Sequence, residues 1–187
     1  VTNIMSEGEV FQLMKCGDVN LTEEEYLTII HKKTAVLISA ACSSGAILAS
    51  ASQDKVAILA HFGHNIGMAF QMTDDTLDYM AKEKDFGKAI GKDLEEGKMT
   101  LPLIYALRKA KPSERKLIKE KVSHRKLSQK SLKNILSFIQ QHGGIDYAMQ
   151  CAGKYANDAK GMLNIFPEST EKNQLFAVAD YILSREI

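Results

Sequence analysis

Apolar residues recur along most of this chain at intervals of three and four, the spacing of one buried helix face. Val10, Leu13 and Met14 follow it in a first segment, 1–16, which Gly17-Asp18-Val19-Asn20 interrupts. Thr22 followed by Glu25 is a capping-box signature, and the helix it predicts carries Tyr26, Leu27, Ile29 and Ile30 as far as His31-Lys32-Lys33-Thr34. Across 35–51 nearly every residue is small or aliphatic, which suits the centre of a bundle or the seam of a dimer. Ser52 is placed to cap a further helix that holds Phe62, Ile66, Met68, Ala69 and Phe70 and ends near Met80. Gly63 and Gly67 on it would let another helix approach closely. Beyond a long connection over 81–98, helices are predicted over about 100–110, 112–122, 128–142, 145–166 and 170–185. Pro102 is tolerable in a first turn, and Gly143-Gly144 and Pro167 act as stops. With only three prolines and no Asn-Gly hairpin, the pattern predicts few strands and an all-α chain.

The chemistry gathers where the most apolar of these helices ends. Asp74, Asp75 and Asp78 fall within five residues there. On a helix Asp74 and Asp78 share a face, with Gln71 a turn earlier on it and Asp75 to one side. Like charges so placed repel, and a divalent cation or several ammonium groups would neutralise them. Carboxylate oxygens suit Mg²⁺. An acidic helix end in solvent accounts equally well for Asp-Asp-x-x-Asp alone. The residues downstream separate the two readings: Gly87-Lys88, Gly91-Lys92-Asp93 and Gly97-Lys98 form a glycine-punctuated basic connection. Its lysines could fold back over the acidic end, and lysine is a mobile point charge suited to phosphate. Acidic clamp and lysine loop together are a device for holding a diphosphate. Lys33 reads either as a snorkelling lysine or as a cation aimed into a cavity, and Thr34 as a residue that back-bonds to its own helix. Glu9 and Gln12 read as ordinary helix surface. His61 and His64 lack a third ligand and read as packed or surface histidines.

Bulk properties narrow the partners. A net charge of +1 gives no push toward nucleic acid or an anionic membrane. The basic stretch 109–133 is interleaved with Glu114, Glu120 and leucines, as a solvated helix face would be. No apolar run reaches membrane-spanning length, and no signal peptide is visible. Cys16, Cys42 and Cys151 lack metal spacing and are expected to be reduced thiols in a cytoplasmic protein. The chain begins at Val1, directly in a helical pattern. It is therefore expected to be one helical domain, 1–187, incomplete at its N-terminus.

Phe70-Gln71-x-x-Asp74-Asp75-x-x-Asp78-Tyr79, continued by Gly87-Lys88-x-x-Gly91-x-Asp93-Leu94-x-x-Gly97-Lys98-x-Thr100-Leu101-Pro102, resembles the second aspartate-rich region of the trans-prenyl (polyprenyl) diphosphate synthases. Lys33-Thr34 before a small-residue helix is similar to that family's lysine-threonine motif, and Ser6-x-Gly8-Glu9-x-x-Gln12 to the preceding helix. Tyr181 to Arg185 resembles the usual ending. The resemblance implies an all-α bundle of the isoprenoid synthase type around a deep apolar cavity, and a homodimer. It implies head-to-tail condensation of isopentenyl diphosphate with an allylic prenyl diphosphate, by a medium- to long-chain enzyme. Asp74 would bind Mg²⁺ directly, with Asp75 and Asp78 supporting it. Lys33 and Lys88 would hold the allylic diphosphate, Lys98 and Lys92 would be weaker members of the clamp, and Thr34 and Gln71 would line the place where a carbocation forms. The family's first aspartate-rich motif and the basic residues for isopentenyl diphosphate are not found in this chain. It thus looks like the C-terminal part of such an enzyme, inactive alone. The alternative is a non-catalytic subunit that partners a complete synthase.

Overall fold

The computed structural model describes residues 1–80, 91–123 and 127–185. Among these, ten α-helices lie in chain order: α1 (Thr2–Lys15), α2 (Glu23–Ile30), α3 (Val36–Leu48), α4 (Gln53–Leu77), α5 (Lys92–Glu95), α6 (Leu101–Lys109), α7 (Pro112–Val122), α8 (Gln129–Gln141), α9 (Gly144–Met162) and α10 (Thr170–Ser184). A π-helical turn, His31–Ala35, joins α2 to α3, and a 3₁₀ turn, Leu163–Ile165, follows α9. No strand occurs among the described residues.

The predicted boundaries hold where a side chain enforces them. Thr22 Oγ1 accepts the Glu25 N–H while a Glu25 carboxylate oxygen accepts the Thr22 N–H, so the capping box forms and α2 starts there. Gly143 takes a φ of 69°, open to glycine, and ends α8. The π turn was not legible: the Val36 N–H reaches back five residues to the His31 carbonyl, and a residue inserted this way leaves no mark on hydrophobic spacing.

Helix α4 is the axis of the molecule. One side meets α3 and the π turn; the other meets α9, whose Ala148, Ala152, Ala156 and Ala159 are fully buried. Alanine at this spacing lets α9 lie close against α4. Phe62, Ile66 and Ala69 of α4 share one apolar cluster with Ala179 and Ile182 of α10. Met68 and Met72 belong to a larger one with Leu101 and Leu103 of α6 and Ile135 and Ile139 of α8. Burying each such Leu or Ile contributes roughly 1.5–3 kcal/mol before entropic costs.

Gly8, Gly63, Gly67 and Gly144 each sit against a neighbouring backbone, and Gly67 and Gly8 are the two that shape the site. A Cβ on Gly67 would lie 2.5 Å from the Cα of Ala35, and one on Gly8 would lie 2.7 Å from the backbone nitrogen of Lys33. Gly67 thus brings the π turn against α4, as its position predicted, and Gly8 brings α1 against the π turn. Gly67→Ala should force the two backbones apart and destabilise the fold by about 1–3 kcal/mol. Urea denaturation measures this, and an unchanged midpoint would contradict the backbone contact.

Candidate active site at the carboxylate end of α4

The close approach at Gly67 places Thr34 beside Gln71. The Thr34 hydroxyl donates to Gln71 Oε1 at 2.7 Å, joining residues 37 positions apart. Gln71 Nε2 donates to Asp75 Oδ1 at 2.8 Å, and the Tyr26 hydroxyl donates to Asp75 Oδ2 at 2.7 Å. Thr34 therefore does not back-bond to its own helix; it opens a chain of three hydrogen bonds that ends in the core. Asp75 is 8% exposed. Burial raises its carboxyl to about 7, against the opposing effect of the Tyr26 and Gln71 bonds, while Asp93 and Asp74 add to the rise. Burial, with the Asp75 charge next, also holds the Tyr26 phenol well above its ordinary value, so Tyr26 remains the donor.

The three aspartates separate. Asp74 faces outward, its side chain 49% exposed, and a carboxylate oxygen accepts from Arg185 Nη2 at 3.1 Å. Asp78 accepts the N–H groups of Lys92 (3.2 Å) and Asp93 (3.1 Å), so both of its oxygens cap the first turn of α5. Asp74 and Asp78 were expected to share a face with Gln71. Instead Gln71 pairs with Asp75, four residues on, and Asp74 stands apart. No three His, Cys, Asp or Glu side chains among the described residues gather as a metal cluster would.

Lys33 Nζ donates to Gln12 Oε1 at 2.7 Å and lies 3.4 Å from Glu9. It is partly buried and directed toward α1, not into solvent. Lys98 bridges Asp93 (2.9 Å) and Glu96 (2.7 Å). Burial lowers its pKa, but the bonds to those two carboxylates outweigh that and leave it raised. Its loop is anchored twice, by Asp78 and by the Gly17 N–H donating to the Gly97 carbonyl at 2.7 Å. The 91–98 part of the long connection therefore contains a capped helical turn. Lys88 lies outside the described residues, as does Gly87. His64 packs against His31, ring centroids 5.0 Å apart, in keeping with a packed histidine.

Glu9 and Gln12, read as helix surface, are the partners of Lys33, and Tyr26 is the partner of Asp75. Arg185 also joins the site: its guanidinium lies 4.7 Å from the Phe70 ring centroid and holds Asp74. Each of these contacts spans 21 or more residues of sequence. The family resemblance had marked Glu9, Gln12 and Arg185 as parts of motifs, but nothing in the spacing marked Tyr26 as more than a core residue.

Comparison with known proteins bears directly on this arrangement. Residues 1–139 match the polyprenyl synthetase family. The chain belongs to that family. It is 37% identical over 178 residues to an octaprenyl diphosphate synthase of Haemophilus influenzae, covering 95% of this chain and 54% of that protein. It is 35% identical to a short chain isoprenyl diphosphate synthase of Methanothermobacter thermautotrophicus, covering 96% and 55%. Among solved structures it resembles a polyprenyl synthase from Caulobacter crescentus complexed with calcium and isoprenyl diphosphate, with a TM-score of 0.91 and 36% identity over 99% of this chain and 56% of that one. A decaprenyl diphosphate synthase from Rhodobacter capsulatus gives 0.91 and 33% over 98% and 56%. The all-α fold expected from the motifs is the fold of these polyprenyl synthetases. The chain spans about half the length of the curated relatives it matches. No helix among the described residues is long and apolar enough to cross a membrane.

Asp75 binds its proton more tightly in the fold than in the unfolded chain, where its pKa is near 3.8. Between that value and about 7 the folded state holds a proton that the unfolded state has released, so this residue's contribution to stability falls as pH rises through the window and levels off above it. Asp75→Asn cannot titrate. The denaturation midpoint of the wild type relative to this variant should therefore decline from acid to neutral pH. A difference independent of pH would contradict the buried setting of Asp75.

Proposed function

We propose that the full-length protein is a trans-prenyltransferase that condenses isopentenyl diphosphate with an allylic prenyl diphosphate, in a Mg²⁺-dependent reaction, to make a polyprenyl diphosphate. The observation that carries this reading is the Thr34–Gln71 hydrogen bond, because it joins the lysine-threonine pair to the aspartate motif in one place. Family membership supports the reaction class, and the diphosphate synthases among the relatives support the substrates.

The donors present suit a hard cation of the Mg²⁺ type: all are oxygens, and Asp74 presents an exposed carboxylate at the helix end. Mg²⁺ commonly takes one or two carboxylates and completes its octahedron with water and substrate phosphate, so a site with one open aspartate fits. Asp74 would hold the ion; Asp78, occupied in capping α5, and Asp75, occupied in the core, support it from behind. When bound, the ion supplies positive charge to the departing diphosphate. Lys33, held by Gln12 on the other side of the π turn from Gln71, adds an ammonium, and Lys98 and Lys88 complete the clamp. The allylic C–O bond breaks with its electron pair leaving on the diphosphate. The double bond of isopentenyl diphosphate then forms the new C–C bond, and a proton is lost. Thr34 and Gln71 line the cationic end, and the apolar cavity that the family resemblance implies would keep out water that traps the cation as an alcohol.

The same reading makes the protein a cytoplasmic homodimer. Its three free cysteines fit a reducing compartment. Exposed Val10, Leu13 and Met14 on α1, with Leu37, Ile47 and Leu48 on α3, supply apolar surface for the pairing.

Chain elongation assayed in the full-length protein tests the function. Asp74→Ala should cut kcat on the order of a hundredfold or more, as loss of a preorganised charge contact does, while the circular dichroism spectrum stays unchanged. Lys33→Ala should chiefly raise KM for the allylic diphosphate. Wild-type turnover in the Asp74 variant would remove it from the metal site, and an unchanged KM would remove Lys33 from the clamp.

A further inference from the structure

We propose that Asp75 is a positioning residue that sets the direction of the hydrogen bond at Thr34, so that the threonine oxygen faces the reaction space as an acceptor for positive charge. This rests on the prenyl-transfer reading and adds a residue whose task differs from metal binding.

Donors and acceptors alternate along the chain of bonds in only one sense. An ionised carboxylate only accepts. Asp75 accepts from Tyr26 at one oxygen and from Gln71 at the other. The Gln71 amide is thereby oriented with its nitrogen toward Asp75 and its oxygen toward Thr34. Facing a carbonyl oxygen, the Thr34 hydroxyl must donate, which turns its hydrogen away from the substrate and leaves its lone pairs for a developing cation. Polarity is thus transmitted from the core to the site through one amide. Both oxygens of Asp75 are occupied, and its side chain is buried, so it is poorly placed to ligate an ion as well.

Reversing the last element reverses the rest. In Asp75→Asn, the new amide can still accept from Tyr26 with its oxygen, but its nitrogen faces Gln71. Gln71 then flips, its nitrogen faces Thr34, and the Thr34 hydroxyl becomes an acceptor with its hydrogen turned toward the substrate. The shape of the site is retained; only the sign of its dipole changes.

The test uses the full-length protein with Mg²⁺ and three probes: inorganic diphosphate, an allylic diphosphate analogue with an ammonium nitrogen at the ionising position, and the neutral carbon isostere of that analogue. All three probes are measured at the same pH. Wild type should prefer the ammonium analogue to its isostere. Asp75→Asn should lower that preference by roughly tenfold, the scale of one charge-assisted hydrogen bond, a larger loss than any in its affinity for inorganic diphosphate. In a Thr34→Val background, Asp75→Asn should change the preference no further, since the effect passes through the hydroxyl. An unchanged preference in Asp75→Asn, or an equal loss for all three probes, would overturn the proposal and leave the prenyl-transfer reading standing. If the wild type bound no diphosphate at all, both would fall.

Discussion

At Gly67 the backbone of α4 touches the backbone of the π turn, and most of the candidate site depends on that contact. A side chain there would push Ala35 away, and Thr34 would no longer reach Gln71. The contact on the opposite side of the turn, at Gly8, does the same for Lys33 by bringing Gln12 and Glu9 to its ammonium. Two helices, α1 and α4, are thus held at backbone distance from five residues of irregular helix. The π turn carries both Lys33 and Thr34, and the two lead apart: Lys33 to α1, Thr34 to α4.

Electrostatics explains why three neighbouring aspartates do not share one fate. Left together on a helix end they would repel by several tenths of a kcal/mol per pair. Each instead has its own source of positive potential. Arg185 faces Asp74, the first N–H groups of α5 face Asp78, and Tyr26 and Gln71 donate to Asp75. Asp75 bears the cost of burial, seen in its raised pKa. That cost is sensible if the residue directs other groups, since a buried, fully bonded carboxylate is rigid. Asp74, held among the described residues by one exposed ion pair with Arg185, is the carboxylate most open to exchange its partner for a cation. Lys98 obeys the same logic, since its two carboxylate partners, Asp93 and Glu96, hold it near the acidic end.

How much of this was legible depended on the range of the interaction. The helices, the capping box at Thr22 and the stop at Gly143 are local, and spacing and turn chemistry reported them. The close-approach role of Gly67 was also readable, because a glycine inside an apolar helix needs a packing reason. The aspartate and lysine-threonine motifs marked the place, since Thr34 and Gln71 meet there. The partner of each charged group was hidden: Glu9 and Gln12 have the composition of helix surface, Tyr26 that of core, and Arg185 that of a fraying end. The partner of Gln71 was misplaced for a specific reason. A difference of one residue turns a helical side chain by 100°, so Gln71 meets Asp75 where the neighbouring Asp74 had been placed on its face. The π turn shifts the register of the helix after it and could not be read from periodicity.

If the end of α4 is built to hold a diphosphate through a divalent cation, binding of the anion must depend on the ion. Calorimetric titration of the full-length protein with inorganic diphosphate, in the presence of Mg²⁺ and again with the ion chelated, measures that dependence. Diphosphate should bind with Mg²⁺ present and fail to bind once the ion is chelated. Equal binding in both conditions would mean that lysines alone hold the anion and that Asp74 has another use, and the metal-clamp reading of the site would be wrong.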